Sequence, residues 1–148
     1  MSIDSVYNAK ILEYAGNIEH IGRLDHPDGT AKAHSKLCGS TVIVDVVLEN
    51  ETVTEFAHDV KACALGQASA AILAKNVLGC TLAELRLARD QLRAMLKERA
   101  APPTDQFQEL KFLEPVRDYR ARHASTLLAF DAVVEAMENA IGKVKRSA

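Results

Sequence analysis

At 148 residues, with 48% apolar and 26% charged side chains, the chain is long and apolar enough to bury the core of one domain. A formal net charge of -2 and a pI near 6.2 exclude the basic field that favours nucleic acid or anionic lipid. No apolar run approaches the roughly 20 residues of a membrane span, and Met1-Ser2-Ile3-Asp4 lacks the basic and apolar regions of a signal peptide. Three cysteines, an odd number without secretory context, argue against a disulfide framework. The expectation is a cytoplasmic protein with reduced thiols, no nucleic-acid role and no membrane role.

Asp4 is placed to cap a first helix, whose apolar positions Tyr7, Ile11, Tyr14 and Ile18 share one face until Gly16-Asn17. Residues 22–37 carry Gly22, Pro27 and Gly29 and read as loop, or as a short irregular strand near Ala31–His34. Val42, Val44, Val46 and Leu48 alternate with Ile43, Asp45 and Val47, the period of a strand. Glu49-Asn50-Glu51 turns the chain, with Asn50 best suited to positive φ, and Val53–Val60 returns as the second strand of a hairpin. Beyond Cys63, Leu65, Ala68 and Ile72 mark an Ala-rich helix ending at Gly79. Thr81 and Glu84 form a capping box for a helix that turns Leu85, Leu92 and Met95 inward and stops before Pro102-Pro103. Residues 100–115 read as loop, and a last helix runs from about Pro115 or Ser125 to Lys143. The fold class is α+β: a small antiparallel sheet (hairpin 41–60 plus a short third strand) against four to five helices, one domain over 1–148.

A hairpin that leaves and returns brings its ends together, so Cys38 and Cys63 are expected as neighbours. Thiolates prefer zinc, copper(I) and iron–sulfur clusters, and a tetrahedral site needs about four donors. Cys63 also precedes a helix, whose free N–H groups and dipole favour negative charge. The plain alternative is two small buried hydrophobes. Cys80 follows a helix of about 15 residues, roughly 22 Å along its axis from Cys63, and reads as packing. His34 and His58 stand too far before their cysteines in an extended chain, and His20 and His26 read as solvated. His123, beside Arg122 and Ser125, is the candidate further donor, against a plain capping or surface role. Asp131 and Arg122 read as surface ion-pairing residues. The chain carries no Gly-rich phosphate loop, HExxH, CxxC or G-x-S-x-G.

An ordered set of segments then resembles the IscU/SufU/NifU N-terminal family of iron–sulfur cluster assembly scaffolds. Tyr7-Asn8 with Ile11, and Gly22-Arg23-Leu24-Asp25-His26-Pro27-Asp28, resemble its opening helix and loop. Cys38-Gly39-Ser40 stands where the family has Cys-Gly-Asp, and His58 to Leu65 stands at Phe-x-Gly-x-Gly-Cys-x-Ile. Ala68-Ser69-Ala70-Ala71 matches the small-residue helix behind the second cysteine, and Tyr119 to Val133 resembles the SufU-type segment around the third. The resemblance spans about residues 5 to 140. It implies a site of three cysteines and an aspartate, of which Cys38 and Cys63 are retained. Ser40 replaces the aspartate. Ser125 replaces the third cysteine in a gapless pairing, or His123 takes that place after a small register shift, as IscU-type members carry a histidine beside their last cysteine. Leu113-Glu114-Pro115-Val116-Arg117 is only an echo of the chaperone-recognition Leu-Pro-Pro-Val-Lys.

The implied function is a scaffold rather than an enzyme. A transient Fe-S cluster, [2Fe-2S] by expectation, would be assembled at Cys38, Cys63 and His123 and passed to recipient apo-proteins, and a homodimer could supply further cysteines. The alternatives are a Zn2+-binding acceptor of persulfide sulfur from a cysteine desulfurase, with Cys38 or Cys63 as nucleophile, and a degenerate member acting as a binding module.

Overall fold

The computed structural model describes residues 8–36 and 39–147, with side chains as far as 143. Strands β1 (Gly29–His34), β2 (Thr41–Glu49) and β3 (Thr52–Lys61) form an antiparallel sheet in that order. The helices are α1 (Ala9–Ala15), α2 (Ala64–Asn76), α3 (Leu82–Lys97) and α4 (His123–Ser147), with 3-10 helices over Gln108–Asp118 and Arg120–Arg122 between the last two. The α+β expectation holds. The third strand is a regular one, pairing from Gly29↔Val46 to His34↔Thr41.

The β2–β3 hairpin closes on a two-residue turn, Glu49↔Thr52, with both central residues at positive φ: Asn50 at 53° and Glu51 at 61°. That is the primed geometry whose twist matches flanking strands. Val42, Val44 and Val46 are fully buried on the face that α4 covers, and Phe56 and His58 stand opposite Val46 and Val44 on the same face. Gly29 permits the contact of β1 with α4, because a Cβ there would lie 2.1 Å from the Ala136 carbonyl oxygen. The other face carries Asp45, which is buried beneath the loop after α1. Its carboxylate accepts from Arg23 Nε at 2.6 Å, Arg23 Nη2 at 3.2 Å, the Leu24 N–H at 3.0 Å and Thr30 Oγ1 at 2.6 Å. Burial pushes its pKa up, but these donors outweigh it and hold Asp45 below the usual carboxylate range.

Helix α1 starts later than the sequence suggests. Its cap is Asn8, whose side chain accepts from the Ile11 N–H, while Asp4 and Tyr7 lie outside the described residues. Gly16 ends it as expected. Helix α2 is buried nearly all round, which its small residues allow, and it stops at Asn76. Gly79, at φ 87°, belongs to the turn beyond rather than to the helix. The Thr81–Glu84 capping box of α3 forms in both directions.

The expected loop over 100–115 is the larger correction. From Gln108 the chain is a 3-10 helix, and Phe107, Leu110, Leu113 and Val116 are all buried. Their spacing of three residues is the 3-10 period, so a single apolar stripe faces the core. Pro115 is tolerated there, and α4 begins only at His123. Glu109 on this segment accepts hydrogen bonds from the Tyr14 hydroxyl and from Lys75 Nζ (2.9 Å), tying α1, α2 and the 3-10 helix together.

A candidate metal and sulfur site at the head of helix α2

Cys63 is the N-cap residue of α2, in extended conformation (φ -67°, ψ 172°), and its side chain makes no capping bond. The thiol is therefore free to point outward. It is partly exposed and lies 3.7 Å from the Ser125 hydroxyl, to which it donates. Ser125 is buried (1% exposed) in the first turn of α4, and its hydroxyl donates to the Arg122 carbonyl at 3.2 Å. Gly66 brings the two helices this close. A Cβ on it would stand 3.1 Å from the Ser125 carbonyl oxygen and 2.7 Å from Ala62 Cβ.

The separation has chemical meaning. A sulfur about 2.3 Å and an oxygen about 2.0–2.2 Å from one tetrahedral zinc lie about 3.5–3.7 Å apart. The Cys63 and Ser125 side chains already stand at that ligand-to-ligand edge. Cys38 lies outside the described residues. The ends of its loop are tied, with the Ser35 N–H donating to Ser40 O and the Gly39 N–H to Ser35 O, both at 2.9 Å. The last β2–β3 pair is Thr41↔Lys61, so this loop and Cys63 leave the same end of the hairpin. Ser40 is buried (3% exposed) at that end. Among the described residues no group of three or more His, Cys, Asp or Glu side chains converges to hold a metal. The donors present fit a soft metal in part: one described thiol, one neutral hydroxyl beside it.

His123 does not share that edge. It lies two residues from Ser125, about 200° round the helix, and is 5% exposed. Its Nε2 is 3.1 Å from the Val116 carbonyl and 3.2 Å from that of Arg117, so Nε2 carries the proton and donates. Burial lowers its pKa, and the charges of Lys97 and Arg120 push the same way against the two carbonyl bonds. Ser125, and not His123, is the residue of this segment whose side chain touches Cys63.

The remaining candidates sit apart. Cys80 is buried, donates to the Asn76 carbonyl and accepts from Gln106 Nε2, both at 3.1 Å; burial pushes its thiol up to about 11. His58 is fully buried in β3 with Nε2 2.8 Å from the Glu19 carbonyl, and burial lowers its pKa. His20, His26 and His34 are exposed. Asp131 pairs with Arg93 of α3 at 3.4 Å. Sequence reasoning missed Gly66, although its place in Cys63-Ala64-Leu65-Gly66, one turn after the cysteine, marks where another backbone can approach.

Residues 6–126 match the NifU-like N terminal domain family. The chain belongs to that family. As a NifU-like N-terminal domain it shares 55% identity with the crystal structure of a nitrogen-fixing NifU-like protein (N-terminal) from Brucella abortus, with a TM-score of 0.90 and 99% of each chain covered. A protein from Fervidobacterium islandicum AW-1, described as an iron–sulfur cluster assembly scaffold for the SUF system, shares the fold at 16% identity. Its TM-score is 0.84, over 92% of this chain and 99% of that one. The iron–sulfur cluster assembly scaffold protein IscU of Thermotoga maritima is 20% identical over 138 residues, 93% of this chain and 96% of its own. No helix among the described residues is long and apolar enough to cross a membrane.

Proposed function

We propose that this NifU-like chain is an iron–sulfur cluster assembly scaffold, acting as a single domain, whose cargo is held by Cys63 and Cys38 with Ser125 in the third donor place. The observation that carries this reading is the 3.7 Å approach of Cys63 Sγ to Ser125 Oγ, in a chain matched to the family over residues 6–126. A transient [2Fe-2S] cluster, which takes four ligands, is the cargo this set suits, with Cys38, Cys63 and Ser125 as three donors and a thiolate from a second chain as the fourth. His123, which holds two backbone carbonyls on the far side of α4, is left out of the donor set.

Sulfur delivery follows from the same thiols. Attack of the Cys63 or Cys38 thiolate on the terminal sulfur of a desulfurase persulfide forms a new S–S bond and releases the desulfurase thiolate. The partners are therefore a cysteine desulfurase and recipient apo-proteins, in the reducing cytoplasm. Zinc at the same donors is the second reading, favoured by the Cys63–Ser125 distance, which suits a tetrahedral ion.

Anaerobic incubation with iron, sulfide and a desulfurase should colour the protein and give near-stoichiometric iron and sulfide. Cys63→Ala and Cys38→Ala should each abolish both. Colourless wild type, or colour that survives both substitutions, would sink the reading. Tight stoichiometric zinc that blocks cluster formation would select the second one.

A further inference from the structure

On the side of α4 away from Cys63 lies a cleft of about 530 Å3, within the range of small-molecule sites. Its charged walls come from three places: Lys97 and Arg99 at the end of α3, Arg117 and Asp118 at the end of the longer 3-10 helix, and Arg120 with His123 at the entry to α4. Four cations face one carboxylate in a chain whose net charge is -2. Asp118 is occupied by Arg99 at 3.0 Å, and Glu114 stands 3.6 Å from Arg117. Lys97 and Arg120 make no ion pair among the described residues.

Two buried polar atoms on the same wall lack partners among the described residues. Arg117 donates through Nη2 to the Ala100 carbonyl at 2.9 Å, yet its Nε is buried and unbonded. His123, 5% exposed and donating through Nε2, leaves Nδ1 as a buried, unbonded acceptor, which suits the P–OH of a hydrogen phosphate and not a bare phosphate oxygen. Unmet hydrogen-bonding groups of this kind are rare in folded proteins and call for an explanation. A guanidinium fork and an ammonium arriving from separate elements provide planar and point-charge donors at once. Such a set matches three terminal oxygens carrying two charges better than the two oxygens and single charge of a carboxylate.

We propose that this cleft is a binding site for a phosphate-bearing small molecule, held by Lys97, Arg117 and Arg120 against the His123 wall. It is separate from the cysteine site and shares with it only the first turn of α4.

The test titrates inorganic pyrophosphate into the full chain at fixed ionic strength, followed by amide chemical shifts. Saturable shifts should concentrate at residues 96–99 and 117–123. Lys97→Ala with Arg120→Ala, both exposed positions, should weaken binding at least about tenfold. The equally discharged Lys32→Ala with Lys36→Ala, exposed elsewhere, should leave it unchanged. Absence of saturation, equal losses in the two double variants, or shifts centred outside the cleft would overturn the proposal. So would preferential binding of a glutamate-rich peptide, which would assign the cleft to an acidic partner segment.

Discussion

Replacing the Ser125 hydroxyl by a thiol puts the proposed donor set to a direct test. In Ser125→Cys the new sulfur takes the place of an oxygen that lies 3.7 Å from Cys63 Sγ, already the edge of a tetrahedral site. No backbone shift is required, because Gly66 keeps the helix heads in contact. Structural zinc sites are worth about 10–16 kcal/mol over four ligands, or roughly 2.5–4 kcal/mol for each donor. Exchanging a neutral hydroxyl for a thiolate should recover most of one such share, a gain of about two to three orders of magnitude in zinc affinity. Competition with a chromophoric chelator measures this, with Cys63→Ser/Ser125→Cys as the paired control. A gain below about fivefold, or the same gain when Cys63 is absent, would refute the placement of Ser125 in the site.

His123→Ala should leave zinc affinity and cluster loading within about twofold of wild type, since its ring faces the other side of α4. A loss of about tenfold in metal content would return His123 to the donor set. Gly66→Ala should cost about 1–2 kcal/mol in urea unfolding, the clash with Ala62 and Ser125 outweighing the helix propensity gained, and should also lower cluster yield. Glu51→Gly should stabilise the protein by about 0.5–1 kcal/mol, read as a rise of about 2 °C in the thermal midpoint, because the residue sits at φ 61° in a primed turn. Asp45→Asn should cost about 2–3 kcal/mol at pH 7, less than for a fully buried pair because Arg23 is half exposed. The folded pKa of Asp45 is depressed, so its contribution is complete above the ordinary carboxylate value near about 4 and is lost as pH falls through the folded value. The gap between wild type and Asp45→Asn in urea midpoints should therefore close in strong acid.

The hairpin and the Thr81 cap were legible because each depends on neighbours in the chain: a two-residue period, a polar turn, a threonine three residues before a glutamate. The 3-10 helix was missed although Phe107, Leu110, Leu113 and Val116 keep a strict three-residue spacing. A search tuned to the longer period of an α-helix passes over such a stripe. The start of α4 was fixed only to within ten residues, and that uncertainty left His123 and Ser125 interchangeable. Once both lie on one helix, geometry separates them by about 200°, and only one can face Cys63. The Asp45 clamp was illegible for a different reason: its donors come from a loop and a neighbouring strand, so no local pattern announces them.

The Cys63–Ser125 approach also has a consequence for the chain as a polymer. The two residues are separated by 62 positions, and that loop contains α2, α3 and both 3-10 helices. An ion or cluster gripping both ends acts as a removable cross-link. In the loop-closure picture a cross-link of this span withdraws about 4 kcal/mol of disorder from the unfolded chain. At the proposed site, loading would therefore tighten the fold by much of its ordinary margin, and release of the cargo would give that freedom back. On the proposed donor set, the emptied protein is therefore a measurably looser chain than the loaded one, a difference legible at a distance from the metal itself.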